Sequence, residues 1–247
     1  FQFKRQLPWL VFATLLGAIT SALYWTMRPH LFSFLFFAAT LWILAQHRRG
    51  RRRVVWLLPL LMALWANCHG AWISGYIPIA CYVLGEALEK IAGSVQRSAI
   101  REQQTHRVAQ QDSWRPLLEL VAATALSLPL LLVNPNGPAL LYHPFATINL
   151  GVLREHIQEW ASPNFHLVQT KPFLGMLLLT VAALALAGRR PRFSDLFTLL
   201  ALTYLAMSAV RHIALWALVA TPLLATYGQA AFLNGWKALV GRYPTLG

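Results

Sequence analysis

The chain has 247 residues, of which 57% are hydrophobic and 12% charged, with a mean hydropathy of +0.50. That charged share is about half of what an ordinary soluble domain carries. The apolar residues fall in blocks of about 16–21, the length a bilayer core of about 30 Å requires, which excludes a water-soluble globule. A net charge of +13 would point to nucleic acid in a soluble protein, but here no soluble basic face exists to use it.

The first residue is Phe1 and no signal peptide precedes the first apolar block, which reads as a chain with further sequence upstream. Hydrophobic blocks then predict spans at about 7–27, 29–46, 54–68, 70–89, 117–133, 172–188, 195–210 and 213–233. The expected fold is all-α: a polytopic transmembrane bundle of about eight spans in a single domain over 1–247. A polar stretch over 90–116 reads as a partly ordered cytoplasmic loop, with an amphipathic surface helix as the alternative. The segment 134–171 reads as an outer interfacial loop.

Threading the chain alternately through a bilayer sorts the basic residues by side. Seventeen of the 21 Lys and Arg fall on one side, including Arg48, Arg49, Arg51, Arg52 and Arg53. Only Arg28, Arg154, Lys171 and Arg211 fall on the other. The positive-inside rule makes the first side cytoplasmic and places both ends of this chain there. The same charge attracts anionic lipid head groups. Trp9, Trp25, Trp56, Trp114 and Trp236 sit near span ends, where indole favours the interface. Cys68 and Cys81 fall at different depths and read as packing residues. No Cys/His spacing points to a metal site.

The outer joints carry the unusual residues. Polar and ionisable side chains at membrane depth are costly and usually line a cavity. Arg211 and His212 lie between two apolar runs with almost no loop. They read either as holders of an anionic group such as a lipid-linked phosphate, or as snorkelling anchors. Asn67, Cys68, His69 and Gly70 break an apolar run. His69 reads as a cavity residue that binds or moves a proton, or Asn67 and His69 cap broken helix ends. Asn134 opens a rigid turn, Asn134-Pro135-Asn136-Gly137-Pro138. Glu155 and Glu159 are the only acidic residues on this side. At i,i+4 they share a face of any helix formed there, and either is a candidate general base or cation ligand; the alternative is a solvated interfacial helix.

The strings Arg28-Pro29-His30-Leu31-Phe32-Ser33, Trp65-Ala66-Asn67-Cys68-His69-Gly70, Asn134-Pro135-Asn136-Gly137, Glu159-Trp160-Ala161-Ser162-Pro163-Asn164-Phe165 and Arg211-His212-Ile213 follow one another in this order. Together they resemble the bacterial multi-spanning proteins of the C-type glycosyltransferase (GT-C) superfamily, over most of the chain. The resemblance implies transfer of a sugar from a polyprenyl-phosphate carrier to an acceptor on the outer face of the cytoplasmic membrane. It implies a carboxylate base in an outer loop, here Glu159 or Glu155. It implies basic residues on the lipid phosphate, here Arg211, His212, Arg28 and His30, often with help from a divalent cation. Asn67, His69 and Asn134 are expected to line the cavity. The sequence departs from the family pattern in one respect: the first outer joint, Arg28-Pro29-His30, contains no acidic residue. Either the catalytic carboxylate lies upstream or this chain is not catalytic.

Two other readings compete. The chain is alternatively a non-catalytic helical subunit of a larger membrane complex, such as a photosynthetic or respiratory one, with His30, His69 and His212 available to a pigment or haem. Its partners are then other membrane subunits rather than a lipid-linked sugar. A transporter is disfavoured, because no internal repeat is visible and charge at mid-membrane is nearly absent.

Overall fold

The computed structural model describes residues 2–25, 27–100, 114–148 and 157–242. Among them the ordered elements are all helical. The α-helices are α1 (Gln2–Ser21), α2 (His30–Arg48), α3 (Leu58–Cys68), α4 (Tyr76–Ile100), α5 (Arg115–Leu130), α6 (Ala139–Ile148), α7 (Lys171–Leu186), α8 (Phe193–Ser208) and α9 (Ile213–Arg242). Short 3-10 turns join several of them. Among the described residues, four segments are long and apolar enough to cross a membrane: His30–Arg48, Gly70–Gly93, Val168–Leu186 and Val210–Leu239. Leu7–Ser21 and Phe193–Ser208 are shorter apolar helices. The 54–68 block is broken into a 3-10 segment, Arg52–Leu57, and the 11-residue α3. The 117–133 block yields the 16-residue α5.

Local chemistry sets the helix boundaries. Pro59, Pro116 and Pro172 stand in the first turns of α3, α5 and α7, where the missing N–H costs no hydrogen bond. The end of α2 is a Schellman motif. Gly50 at φ +85° lets its N–H reach the His47 carbonyl (2.9 Å), while the Arg51 N–H reaches Gln46 (3.1 Å). Gly188 closes α7 with φ +68°, and the Ala187 carbonyl left over there accepts from Asn234 Nδ2 at 2.9 Å.

The polar stretch after residue 89 differs from a loop at its start. Residues Lys90–Ile100 continue α4, the amphipathic alternative, while 101–113 lie outside the described residues. Likewise the 134–171 segment contains α6 and two 3-10 turns, Gln158–Trp160 and Val168–Thr170.

Where one domain is expected, the chain divides into two compact units. The first comprises residues 1–26, 153–191 and 199–247. Its centre is α9, against which α1 and α7 both pack. Trp216 and Phe173 are fully buried and meet edge to face at 4.9 Å, and Trp216 Nε1 donates to Thr203 Oγ1 at 2.9 Å. Gly17 on α1 faces Thr221 on α9 with no room for a Cβ, the small-residue contact that brings helices together where no hydrophobic force separates protein from lipid.

The second unit comprises residues 27–152 and 192–198. Its core is Ile43, Leu44, Val55, Leu58, Ile79, Tyr82, Leu120 and Ala123. Several polar groups inside it are partnered, as a low-dielectric interior favours, while the buried Gln46 Oε1 and Trp72 Nε1 have no hydrogen-bond partner among the described residues. His47 Nε2 donates to the Pro116 carbonyl (3.0 Å) and its Nδ1 accepts from the Tyr82 hydroxyl (3.1 Å). Arg48 meets Asp195 Oδ1 and Ser194 Oγ, both at 2.8 Å. Arg192 lies 3.6 Å from Glu86, and Glu89 Oε1 accepts from the Phe193 N–H at the start of α8. Cys68 and Cys81 are unpaired.

Candidate functional site

The expected site residues fall in the two units separately. Glu159, Arg211 and His212 belong to the first; Arg28, His30, Asn67, His69 and Asn134 belong to the second. Glu155 lies outside the described residues.

In the first unit the site is built on a helix break. Helix α8 ends at Ser208, and Ala209 turns to extended backbone (φ −154°, ψ 128°). A 3-10 turn, Val210–His212, then leads into α9. The break is stitched to the preceding 3-10 turn by the Val210 N–H, which donates to the Ala161 carbonyl at 3.0 Å. That bond sets Gln158–Trp160 beside Val210–His212. The Arg211 guanidinium carbon therefore lies 4.3 Å from the Trp160 ring centroid, a cation–π stack that fixes the fork in orientation. Glu159, exposed, acts electrostatically on Arg211 and on Tyr24. His212, half-buried, donates from Nδ1 to the Leu205 carbonyl at 3.1 Å. In the neutral ring the lone pair is then on Nε2.

The arrangement thus holds an exposed carboxylate, a guanidinium of fixed orientation and an imidazole at the end of an apolar helix. Chemically it offers a base and an anion-binding fork within one joint.

In the second unit a similar break does different work. Helix α3 ends at Cys68, His69 is extended (φ −158°, ψ 140°), and a 3-10 segment Gly70–Gly75 leads into α4. His69 Nδ1 accepts from the Ala71 N–H (3.3 Å) and from the Ser33 hydroxyl (2.7 Å), which itself accepts from Trp65 Nε1 (2.8 Å). The proton of neutral His69 is therefore on Nε2, the opposite of His212. Asn67 Nδ2 donates to the carbonyls of Ala63 (2.8 Å) and Val133 (2.9 Å). Asn134 Nδ2 donates to Ala66 O and Asn67 Oδ1, both at 3.1 Å, and its Oδ1 accepts from the Asn136 N–H. The two amides spend their donors tying α3 to the turn after α5.

Asn67, His69 and Asn134 do line one open cavity of about 330 Å³, with Cys68, Asn136 and His143. His143 escaped sequence reading. Its only signal was a polar residue before Pro144 inside the outer segment. Arg28 is exposed, and His30 opens α2 with its ring against Phe34 at 5.3 Å. Tyr24 and Ser33 were also missed, since single hydroxyls near span ends carry no pattern.

Among the described residues no three His, Cys, Asp or Glu side chains group to hold a metal ion. No family model, no curated protein and no solved structure matches the chain.

Proposed function

We propose that the chain is a GT-C-like glycosyltransferase that takes a sugar from a polyprenyl-phosphate carrier at the outer face of a bacterial cytoplasmic membrane. The shorter helices complete about eight crossings, with both ends of this chain in the cytoplasm. One observation carries the reading: an exposed Glu159 beside an Arg211 guanidinium stacked on Trp160, at the mouth of an apolar helix. In this scheme Glu159 takes the proton of the acceptor hydroxyl. The acceptor oxygen attacks the anomeric carbon from the face opposite the phosphate, the bond from that carbon to the phosphate oxygen breaks, and the configuration inverts. The charge that develops on the leaving phosphate is met by Arg211. His212, with its lone pair on Nε2, takes a hydrogen bond from a sugar hydroxyl. The roles rest on the first unit's residues alone.

The test is release of polyprenyl phosphate from a panel of polyprenyl-phosphate-linked sugars by the full chain in bilayers. Glu159→Gln lowers the rate about 10³-fold, within the range of a lost general base. Wild-type protein that releases none from any donor, while purifying as a stable complex with other membrane proteins, sinks the enzyme reading in favour of a structural subunit.

A further inference from the structure

Residues 48–53 hold five arginines in six positions. They do not share one fate. Arg48 is spent inside the second unit on Asp195, Ser194 and the Tyr82 ring. Among the described residues, Arg49, Arg51, Arg52 and Arg53 form no ion pair. Glu86 and Asp195 are engaged by Arg48 and Arg192 instead.

The Schellman end of α2 then turns the chain sharply at Gly50, so that Arg51, Arg52 and Arg53 wrap an open cavity of about 420 Å³ together with Gly50 and Val54. Immediately after them the 3-10 segment presents two faces. Val55 and Leu58 are fully buried, while Trp56 and Leu57 are about half exposed, at 48% and 50%. An open cavity lined by three consecutive arginines, whose stems and backbone give it a mostly apolar wall, therefore lies beside an outward indole and leucine, the pairing of charge and apolar surface that an amphiphile with an anionic head requires.

We infer that the Arg51–Arg53 cavity is a binding site for the phosphodiester head group of an anionic phospholipid, whose acyl chains lie along Trp56 and Leu57. The site is independent of the transfer chemistry proposed above. Guanidinium forks grip two phosphate oxygens at once, and a zwitterionic head group brings its own ammonium, which these arginines repel.

The experiment is native mass spectrometry of the full chain released from vesicles of phosphatidylglycerol or of phosphatidylcholine. Wild type retains phosphatidylglycerol and not phosphatidylcholine. Arg51→Gln/Arg52→Gln/Arg53→Gln lowers retention about a hundredfold, as three lost head-group contacts predict. Because removing positive charge also disturbs membrane orientation, Arg51→Lys/Arg52→Lys/Arg53→Lys is the companion variant. It keeps the charge and loses the fork, and retention falls about fivefold. Arg49→Gln, outside the cavity wall, changes retention less than about twofold. Soluble glycerol 3-phosphate does not displace the lipid; displacement would reassign the site to a free phosphate. Equal retention of the two lipids, or a lysine variant indistinguishable from wild type, overturns the inference.

Discussion

The two helix breaks, at His69 and at Ala209, have the same backbone plan and opposite use of side chains. Each runs from an α-helix through one extended residue and a 3-10 turn into another helix. At the first, Asn67, Asn134 and His69 turn their polar atoms onto carbonyls, an amide N–H and a buried serine. At the second, His212 does so from one ring nitrogen, and the Ser208 and Ser162 hydroxyls donate to the Tyr204 and Ser208 carbonyls. Glu159 stays exposed and Arg211 lies on an indole face. Breaking a helix in an apolar setting frees backbone groups that something must satisfy. The first break uses side chains for that purpose. The second also uses backbone, the Val210 N–H on the Ala161 carbonyl. A polar residue at membrane depth is therefore a sign of function only when its hydrogen bonds are not already committed to the fold.

That contrast can be broken from either side. The largest expected effect is at Arg211. Arg211→Ala lowers polyprenyl-phosphate release about 10³-fold, the scale of one lost group that stabilises developing charge, and lowers the thermal midpoint of unfolding by only a few degrees, as loss of the half-buried stack on Trp160 predicts. Release kinetics and thermal unfolding of the same preparation check both halves. Trp160→Ala comes next, with about a tenfold drop, since the ring contributes on the order of 1–2 kcal/mol to holding the fork. Asn67→Ala does the reverse. It removes three side-chain hydrogen bonds and costs about 1–3 kcal/mol of stability, read as a lower unfolding midpoint, while the folded fraction turns over at the wild-type rate.

Much of the fold was legible in the sequence. Apolar block length and the Gly/Pro joints place the helices, and Arg28-Pro29-His30, the 47–53 joint and Gly188 mark where they end. Asn67-Cys68-His69-Gly70 signalled a broken apolar run, and Arg211-His212 signalled a tight joint between two apolar runs. Periodicity could not say how each break is healed, because the partners are distant in sequence: Val133 for Asn67, Ala161 for Val210. The same holds for Arg48. It reads as one more topology charge among its neighbours, yet it is tied to Asp195, 147 positions away. The split into two units also left no local trace, since residues 192–198 leave the second unit's early segments far behind in the chain. The candidate site was legible as a set of residue types. That Glu159, Trp160 and Arg211 sit together while Arg28 and His30 belong to the other unit was not.

The most direct test compares Arg211→Ala with Asn67→Ala in bilayers, measuring polyprenyl-phosphate release per folded molecule. Loss of turnover in Arg211→Ala with wild-type turnover in Asn67→Ala is the predicted result. Equal turnover in both variants, or loss in both in proportion to their stability, would contradict the assignment of chemistry to the second break.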